Sequence, residues 1–462
     1  MKQKMYFSAI LAMVFCALSV SVRAETFYAY LEGRQEVPAA ATTGKGYARV
    51  VVNESAGTLT FTVVFNGLSS AQTLSHIHAP AAIGANASVA IDFGTVGGTS
   101  GTISGTRSIT PTQLAQLRQH LGYVNVHSSN FPAGELRGQL GIKRPVDFDG
   151  DGRQDFSVLR FPNVAPPGVA QITYWNSNST QGTQVVPFGN ANTDFPVPGD
   201  YDGDGKDDPA LYRSFTTAGS QSEFWILRSS DGVALKILFG LSGDQAICRD
   251  FDGDGITDLA VYRRGLTPTA QAVWWIRKST VSPGLITGPD FAIPFGLTGD
   301  IVTGANGDTP VPGDYDGDGK FDLAVYRFGG FTPNNTFIIM RSSDGGVTYQ
   351  QFGDFQTDYI APGDFDGDGK FDFVAARTGA TGTTPMVWWI LQSSNGQVRI
   401  QQFGLSADRV VQGDYDGDAR TDIAIYRPST GFFWVLGSFD NTVQITDWGQ
   451  PGDFPTATFD AR

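Results

Sequence analysis

Six segments of this chain repeat one pattern of acids, glycines and strand: VDFDGDGRQDFSVLR from Val146, GDYDGDGKDDPALYR from Gly199, RDFDGDGITDLAVYR from Arg249, GDYDGDGKFDLAVYR from Gly313, GDFDGDGKFDFVAAR from Gly363 and GDYDGDARTDIAIYR from Gly413. Their leading aspartates, Asp147, Asp200, Asp250, Asp314, Asp364 and Asp414, follow one another at 53, 50, 64, 50 and 50 residues. A unit of that length cannot bury its own apolar face and must stack on its neighbours. The runs after each acidic loop, such as DLAVYR and DIAIYR, are short, β-branched and aromatic, which predicts strands. An aromatic strand follows in the units, for example FWILRSSDG from Phe224 or VWWILQSSNG from Val387, and each unit closes on Phe-Gly or Trp-Gly, from Phe188-Gly189 to Trp448-Gly449. Three or four short strands per unit predict an all-β ring, a β-propeller over 145–462, with six blades, or seven if a poorly matching segment supplies another. The tail FPTATFDAR begins like one more repeat and is expected to complete the first blade. The 64-residue interval places an insertion near Ile301–Pro310.

The loops carry the strongest chemistry. In D-x-D-G-D-G-x-x-D the second carboxylates are Asp149, Asp202, Asp252, Asp316, Asp366 and Asp416, and the third are Asp151, Asp204, Asp254, Asp318, Asp368 and Asp418. The ninth position returns Asp155, Asp208, Asp258, Asp322, Asp372 and Asp422. Alternate hard oxygen donors on a curl permitted by glycine suit calcium, about six ions in all. An EF-hand would place Glu at position 12, but Val158, Leu211, Val261, Val325, Ala375 and Ile425 stand there, so the loops join strands rather than helices. The sixth loop has Ala419 in place of glycine and is expected to be strained or weaker.

Residues 1–24 read as a signal peptide: Lys2 and Lys4 precede an apolar run from Met5 to Val22, and Val22-Arg23-Ala24 offers a small-residue cleavage pattern. Cleavage would remove three basic residues and no acid, taking Lys plus Arg from 32 to 29 against 46 Asp plus Glu, a net charge of -17. Six divalent ions would bring it to -5. Such a charge excludes nucleic acid as an expected partner. Only Cys248 remains after cleavage, so no internal disulfide can form and packing or metals must hold the fold. The expected location is secreted, extracellular or periplasmic, with no membrane span after cleavage, and the expected state is a monomer.

The chain from Pro145 onward resembles FG-GAP or VCBS repeats, the calcium-binding blades of integrin alpha chains and many secreted bacterial proteins, because loop, strand and Phe-Gly recur in register. That resemblance implies a calcium-stabilised propeller that binds an extracellular protein or glycan, with no catalytic residue. Trp225, Trp274, Trp275, Trp388, Trp389 and Trp434 recur at one place in the units and are expected to pack between blades. Adjacent tryptophans must face opposite sides of a strand, so an exposed one could stack on a sugar.

Residues 25–142 form a separate unit with alternating strands such as YARVVVN and TLTFTVVFNGL, and one predicted helix, TPTQLAQLRQHLG, opened by Thr110 and Pro111 and including His120. FYAYLEGRQEVPAA, LSHIHAPA and YVNVHSSNFPAGELRGQL make it resemble a CHRD domain, with an expected β-sandwich-like fold and no generally established activity. His76 and His78 would share one face of a strand, and His127, with Glu135, could complete a zinc or copper site. The competing reading is a set of hydrogen-bonded histidines and a Glu135–Arg137 polar network fixing a hairpin. The expected function is a calcium-binding scaffold for adhesion. The alternatives are a metal-dependent enzyme on these histidines, a propeller lyase or hydrolase with an acidic pocket at the ring axis, or a self-associating surface component. No G-x-S-x-G elbow or P-loop is present. The segment GIKRPVDFDG leaves almost no linker, so the two units should pack closely.

Overall fold

The computed structural model describes residues 24–142, 145–161, 171–178, 181–267, 269–279, 290–298, 307–327, 335–354 and 358–457. The apolar leader through Arg23 lies outside them. No helix among the described residues is long and apolar enough to cross a membrane.

The N-terminal unit is a single eight-stranded sheet built from β1 (Ala24–Glu32), β2 (Lys45–Asn53), β3 (Thr58–Asn66), β4 (Gln72–His78), β5 (Val89–Asp92), β6 (Gly101–Ser108), β7 (Tyr123–Ser128) and β8 (Leu136–Gln139). Strand order is β5-β4-β7-β8-β1-β2-β3-β6. Strict alternation decides which side faces inward: Ala48, Val50 and Val52 on β2 and Leu59, Phe61, Val63 and Phe65 on β3 are all buried. The sheet rolls into a barrel-like shape. Its end strands meet where Arg107 on β6 donates from Nε to the Asp92 carbonyl at 2.7 Å and Phe61 stacks on Phe93 at 3.8 Å. Helix α1 (Pro111–Arg118) begins as predicted, with Thr110 and Gln113 forming a capping box. It ends earlier than predicted. His120 lies beyond it at φ 53°, because Leu121 turns back to donate to the Gln116 carbonyl at 2.8 Å.

Six four-stranded antiparallel sheets follow. Blade 2, for example, runs Asp194–Pro196, Ala210–Arg213, Gln221–Leu227 and Ala234–Leu241 from the inside outward. Blade 1 borrows its innermost strand from the C-terminus: Phe454 pairs with Leu159 and Pro455 with Val158, closing the ring as the tail predicts. The count is therefore six. Of the extra residues assigned to Ile301–Pro310, 301–306 lie outside the described residues, while Asp308–Pro310 form the innermost strand of blade 4 and are not an insertion.

The two units are packed together through the acidic loops. Arg34 donates to the Asp416 carbonyl at 2.6 Å, Gln35 to Gly417 at 3.0 Å, Arg49 to Gly203 at 3.0 Å and Thr26 to Asp254 at 3.3 Å. His120 lies 3.3 Å from the Asp364 carboxylate, and the Arg153 guanidinium of the first loop covers the Tyr30 ring at 4.1 Å. Gly319 of the fourth loop lies beside Glu25. The barrel thus sits on all six loops and covers that end of the ring axis.

Candidate metal centres

Each loop winds around its first aspartate. The carboxylate of Asp200 accepts from Gly203 N–H at 2.7 Å and Gly205 N–H at 2.9 Å, and the other five leading aspartates repeat the arrangement. The ninth aspartate accepts from the residue after the first, as Asp322 does from Tyr315 N–H at 2.9 Å. Glycines at positions 4 and 6 take the left-handed backbone this curl needs, and Ala419 takes it too, at φ 68°. Carboxylate oxygens of positions 1, 3 and 9 come within 4.8 Å of one another in the first, second and fourth loops, and those of Asp250, Asp252 and Asp254 do so in the third. Fifth-position carboxylates also accept from their own loops, as Asp204 does from Lys206 N–H at 2.8 Å, and several accept from a serine beyond the third strand, as Asp368 does from Ser393 Oγ at 2.8 Å.

These carboxylates sit where charge is costly. Burial and then the neighbouring Asp202 push Asp208 up to about 8, and burial with Asp366 does the same to Asp372. Burial raises Asp322 to about 7. Asp250, Asp258, Asp314 and Asp422 are raised well above the ordinary carboxylate range, by burial first and fellow aspartates second.

Two recurring partners escaped the sequence reading. The arginine ending each second strand grips the aspartate that opens the innermost strand: Arg160–Asp453, Arg213–Asp194, Arg263–Asp244, Arg327–Asp308, Arg377–Asp358 and Arg427–Asp408. That aspartate also accepts the N–H just after the Phe-Gly or Trp-Gly closure, as Asp244 does from Leu241 at 2.7 Å. The outward tryptophan of the third strand lies under the same guanidinium in blades 1, 2, 3, 5 and 6, at 4.3 to 5.4 Å. Trp274 and Trp388 are the inward members and are fully buried. The second partner is serine: Ser342 N–H and Oγ donate to Asp322 and Asp318, and Ser343 Oγ to Asp316 at 2.6 Å. The repeated final Arg and the Ser-Ser after the aromatic strands of blades 2, 4 and 5 were the available signals.

At the ring axis the described lining includes Val197, Ile247, Cys248, Val311, Gln412 and Thr456, and no carboxylate is among it. A second pocket, sharing Pro145, Pro198, Cys248, Arg249 and Phe321 with this one, adds Glu25, Asp207 and Asp250.

On the barrel, β4 and β7 bring His76, His78 and His127 together, with ligand-capable nitrogens all within 4.8 Å. Glu135 does not join them. Burial works against its charge, but four hydrogen bonds from Thr42, Ser69 N–H, Ser69 Oγ and Ser128 hold its carboxyl below the ordinary range on another part of the sheet. Arg137 does not pair with it either: its guanidinium lies over the Tyr123 ring at 3.6 Å and donates to Asn86.

The CHRD domain family matches residues 27–140. No curated protein is similar to the chain. The eight-stranded barrel with its single helix is a CHRD domain, followed in this chain by a six-bladed β-propeller.

Proposed function

We propose that the protein is a secreted calcium-binding scaffold of the FG-GAP/VCBS type that binds an extracellular protein or a glycan, with calcium structural in the six loops. The observation that carries the calcium reading is the convergence of three loop carboxylates within 4.8 Å of one another in each of the first four loops, where burial and fellow aspartates make their charge costly. The donor set is all hard oxygen, and Asp366 and Asp416 each bury an Oδ1 that has no hydrogen-bond donor, so a cation has both the ligands and a reason to bind. Loop aspartates at positions 1, 3 and 9, and at 1, 3 and 5 in the third loop, would hold it, and its charge would relieve their repulsion.

The scaffold reading follows from where surface remains. The CHRD domain covers the loop-bearing face, and large apolar side chains remain exposed elsewhere among the described residues of the propeller. Leu266 is 97% exposed, Tyr349 67% and Phe195 60%. Apolar side chains held out on rigid blades are the kind of anchor a partner uses. Screening the calcium-loaded protein on immobilised glycans and on an extracellular protein library tests this. Binding that is lost on replacing Tyr349 and Phe195 by Ser supports the reading, and no binding in either screen contradicts it.

A further inference from the structure

The histidine cluster of the CHRD domain has the features of a site built for a transition metal. β4 and β7 pair with Leu74 opposite His127, His76 opposite Asn125 and His78 opposite Tyr123. His76 and His78 are two residues apart, and His127 is the diagonal neighbour of His76, so all three imidazoles project from one face. All three are buried, His78 at 9% exposure.

Their tautomers are set by backbone. His78 Nδ1 lies 2.9 Å from the Ala87 carbonyl and His127 Nδ1 lies 3.0 Å from the Pro132 carbonyl. A carbonyl only accepts, so each Nδ1 carries the proton and each Nε2 presents a lone pair. The His78 Nε2 is buried and has no hydrogen-bond partner. The His127 Nε2 lies 3.2 Å from His76 Nδ1. Two nitrogens bound to one zinc ion at 2.0–2.1 Å in a tetrahedron stand about 3.3 Å apart, close to that separation. On the far side of the His76 ring, Nε2 lies 3.8 Å from the exposed Asp92 carboxylate, beyond direct hydrogen-bond distance but near enough to favour a proton on Nε2 electrostatically, which would leave Nδ1 free to ligate. Carbonyl or carboxylate support of the distal ring nitrogen is what orients a metal-bound imidazole.

Three competing uses of the cluster fare worse. A plain hydrogen-bond network accounts for the His76–His127 contact but leaves the buried His78 lone pair unanswered. A pair with Glu135 is excluded by that residue's four other bonds. A charged cluster is opposed by burial, which lowers all three imidazoles, with His127 and His78 further lowering His76, and His127 and Arg137 further lowering His78.

We propose that His76 Nδ1, His78 Nε2 and His127 Nε2 bind one divalent transition ion, zinc or copper(II), with a fourth position open to water. Three neutral nitrogen donors without thiolate or carboxylate suit these ions and do not suit calcium. This centre is independent of the calcium loops.

The test uses the full-length metal-free protein with excess calcium, so that the aspartate loops are satisfied. Copper(II) is added at one equivalent and read by electron paramagnetic resonance; zinc is titrated calorimetrically. Expected are one ion per chain, nitrogen hyperfine structure from three imidazoles, and zinc affinity reduced about 100-fold or more in His78→Asn and His127→Asn. Copper without nitrogen coupling, or zinc binding unchanged in both variants, would overturn the proposal. The spectroscopic arm uses the unaltered chain, so the answer does not depend on the variants folding.

Discussion

Replacing Arg427 by Met should cost the propeller about 2–3 kcal/mol. Arg427 donates from Nε and Nη2 to the two oxygens of Asp408 at 2.9 Å each, and Leu405 N–H donates to the same carboxylate at 2.8 Å. The Asp408 side chain is 2% exposed and that of Arg427 22%. Methionine keeps an apolar stem but removes the guanidinium from over the Trp434 ring and strands the carboxylate. Breaking a buried pair from one side costs about 3–5 kcal/mol, and the partial access of water through the arginine's place reduces that to about 2–3 kcal/mol. At ~2.1 cal/mol/K per residue for a ring of this size, the melting midpoint should fall by about 4 °C. Differential scanning calorimetry in saturating calcium measures it, with Arg341→Met as the comparison, since its partner Asp344 is 58% exposed. The reasoning fails if the two variants melt together. It also predicts that Arg427→Met with Asp408→Leu recovers much of the loss, because removing both charges leaves nothing stranded.

Other outcomes follow from the same geometry. Ala419→Gly should stabilise the sixth loop by about 0.5–1 kcal/mol by relieving a left-handed alanine at φ 68°, read as a higher urea midpoint, and a lower midpoint would count against the strain. Burial pushes Glu36 up to about 7 despite Arg137 and Asn125, so the folded state holds a proton that the unfolded state releases near 4.5. Its stabilising share is full below about pH 4.5 and is lost as pH rises through 7, on the order of 3 kcal/mol, and Glu36→Gln should flatten stability across that window. Chelating calcium should loosen the CHRD domain from the ring, because its contacts are to the loops themselves. Small-angle scattering would register a larger radius of gyration, and an unchanged one would speak against loop-borne docking.

The propeller was legible because its constraints are local and repeated. A nine-residue acidic loop, a branched strand and a Phe-Gly closure specify a blade edge without any long-range knowledge, and the truncated tail around Phe454 pointed to ring closure. The Arg–Asp grips were missed because the partners are 19 residues apart in five blades and 293 apart in the first, and a lone terminal arginine looks like a solvated strand end. The barrel's closure brings Arg107 on one end strand to the Asp92 carbonyl on the other, a meeting that alternation alone cannot show. In the histidine cluster, i,i+2 spacing gave the shared face of His76 and His78, but the approach of His127 depends on the β4–β7 register, and the carbonyls that fix the tautomers lie in loops with no motif. Glu135 looked like a ligand by proximity in sequence. Its neighbours Thr42 and Ser69, distant in the chain, claimed it first.

Calcium in the six loops is the central claim, and a metal inventory combined with melting tests it most directly. At about 100 times the dissociation constant each ion would stabilise the native state by about 2.7 kcal/mol, so chelation should have a large effect. The account predicts about six calcium ions per chain by plasma mass spectrometry and a large fall in melting temperature when they are chelated. A chain that carries no calcium and melts unchanged with chelator would contradict it.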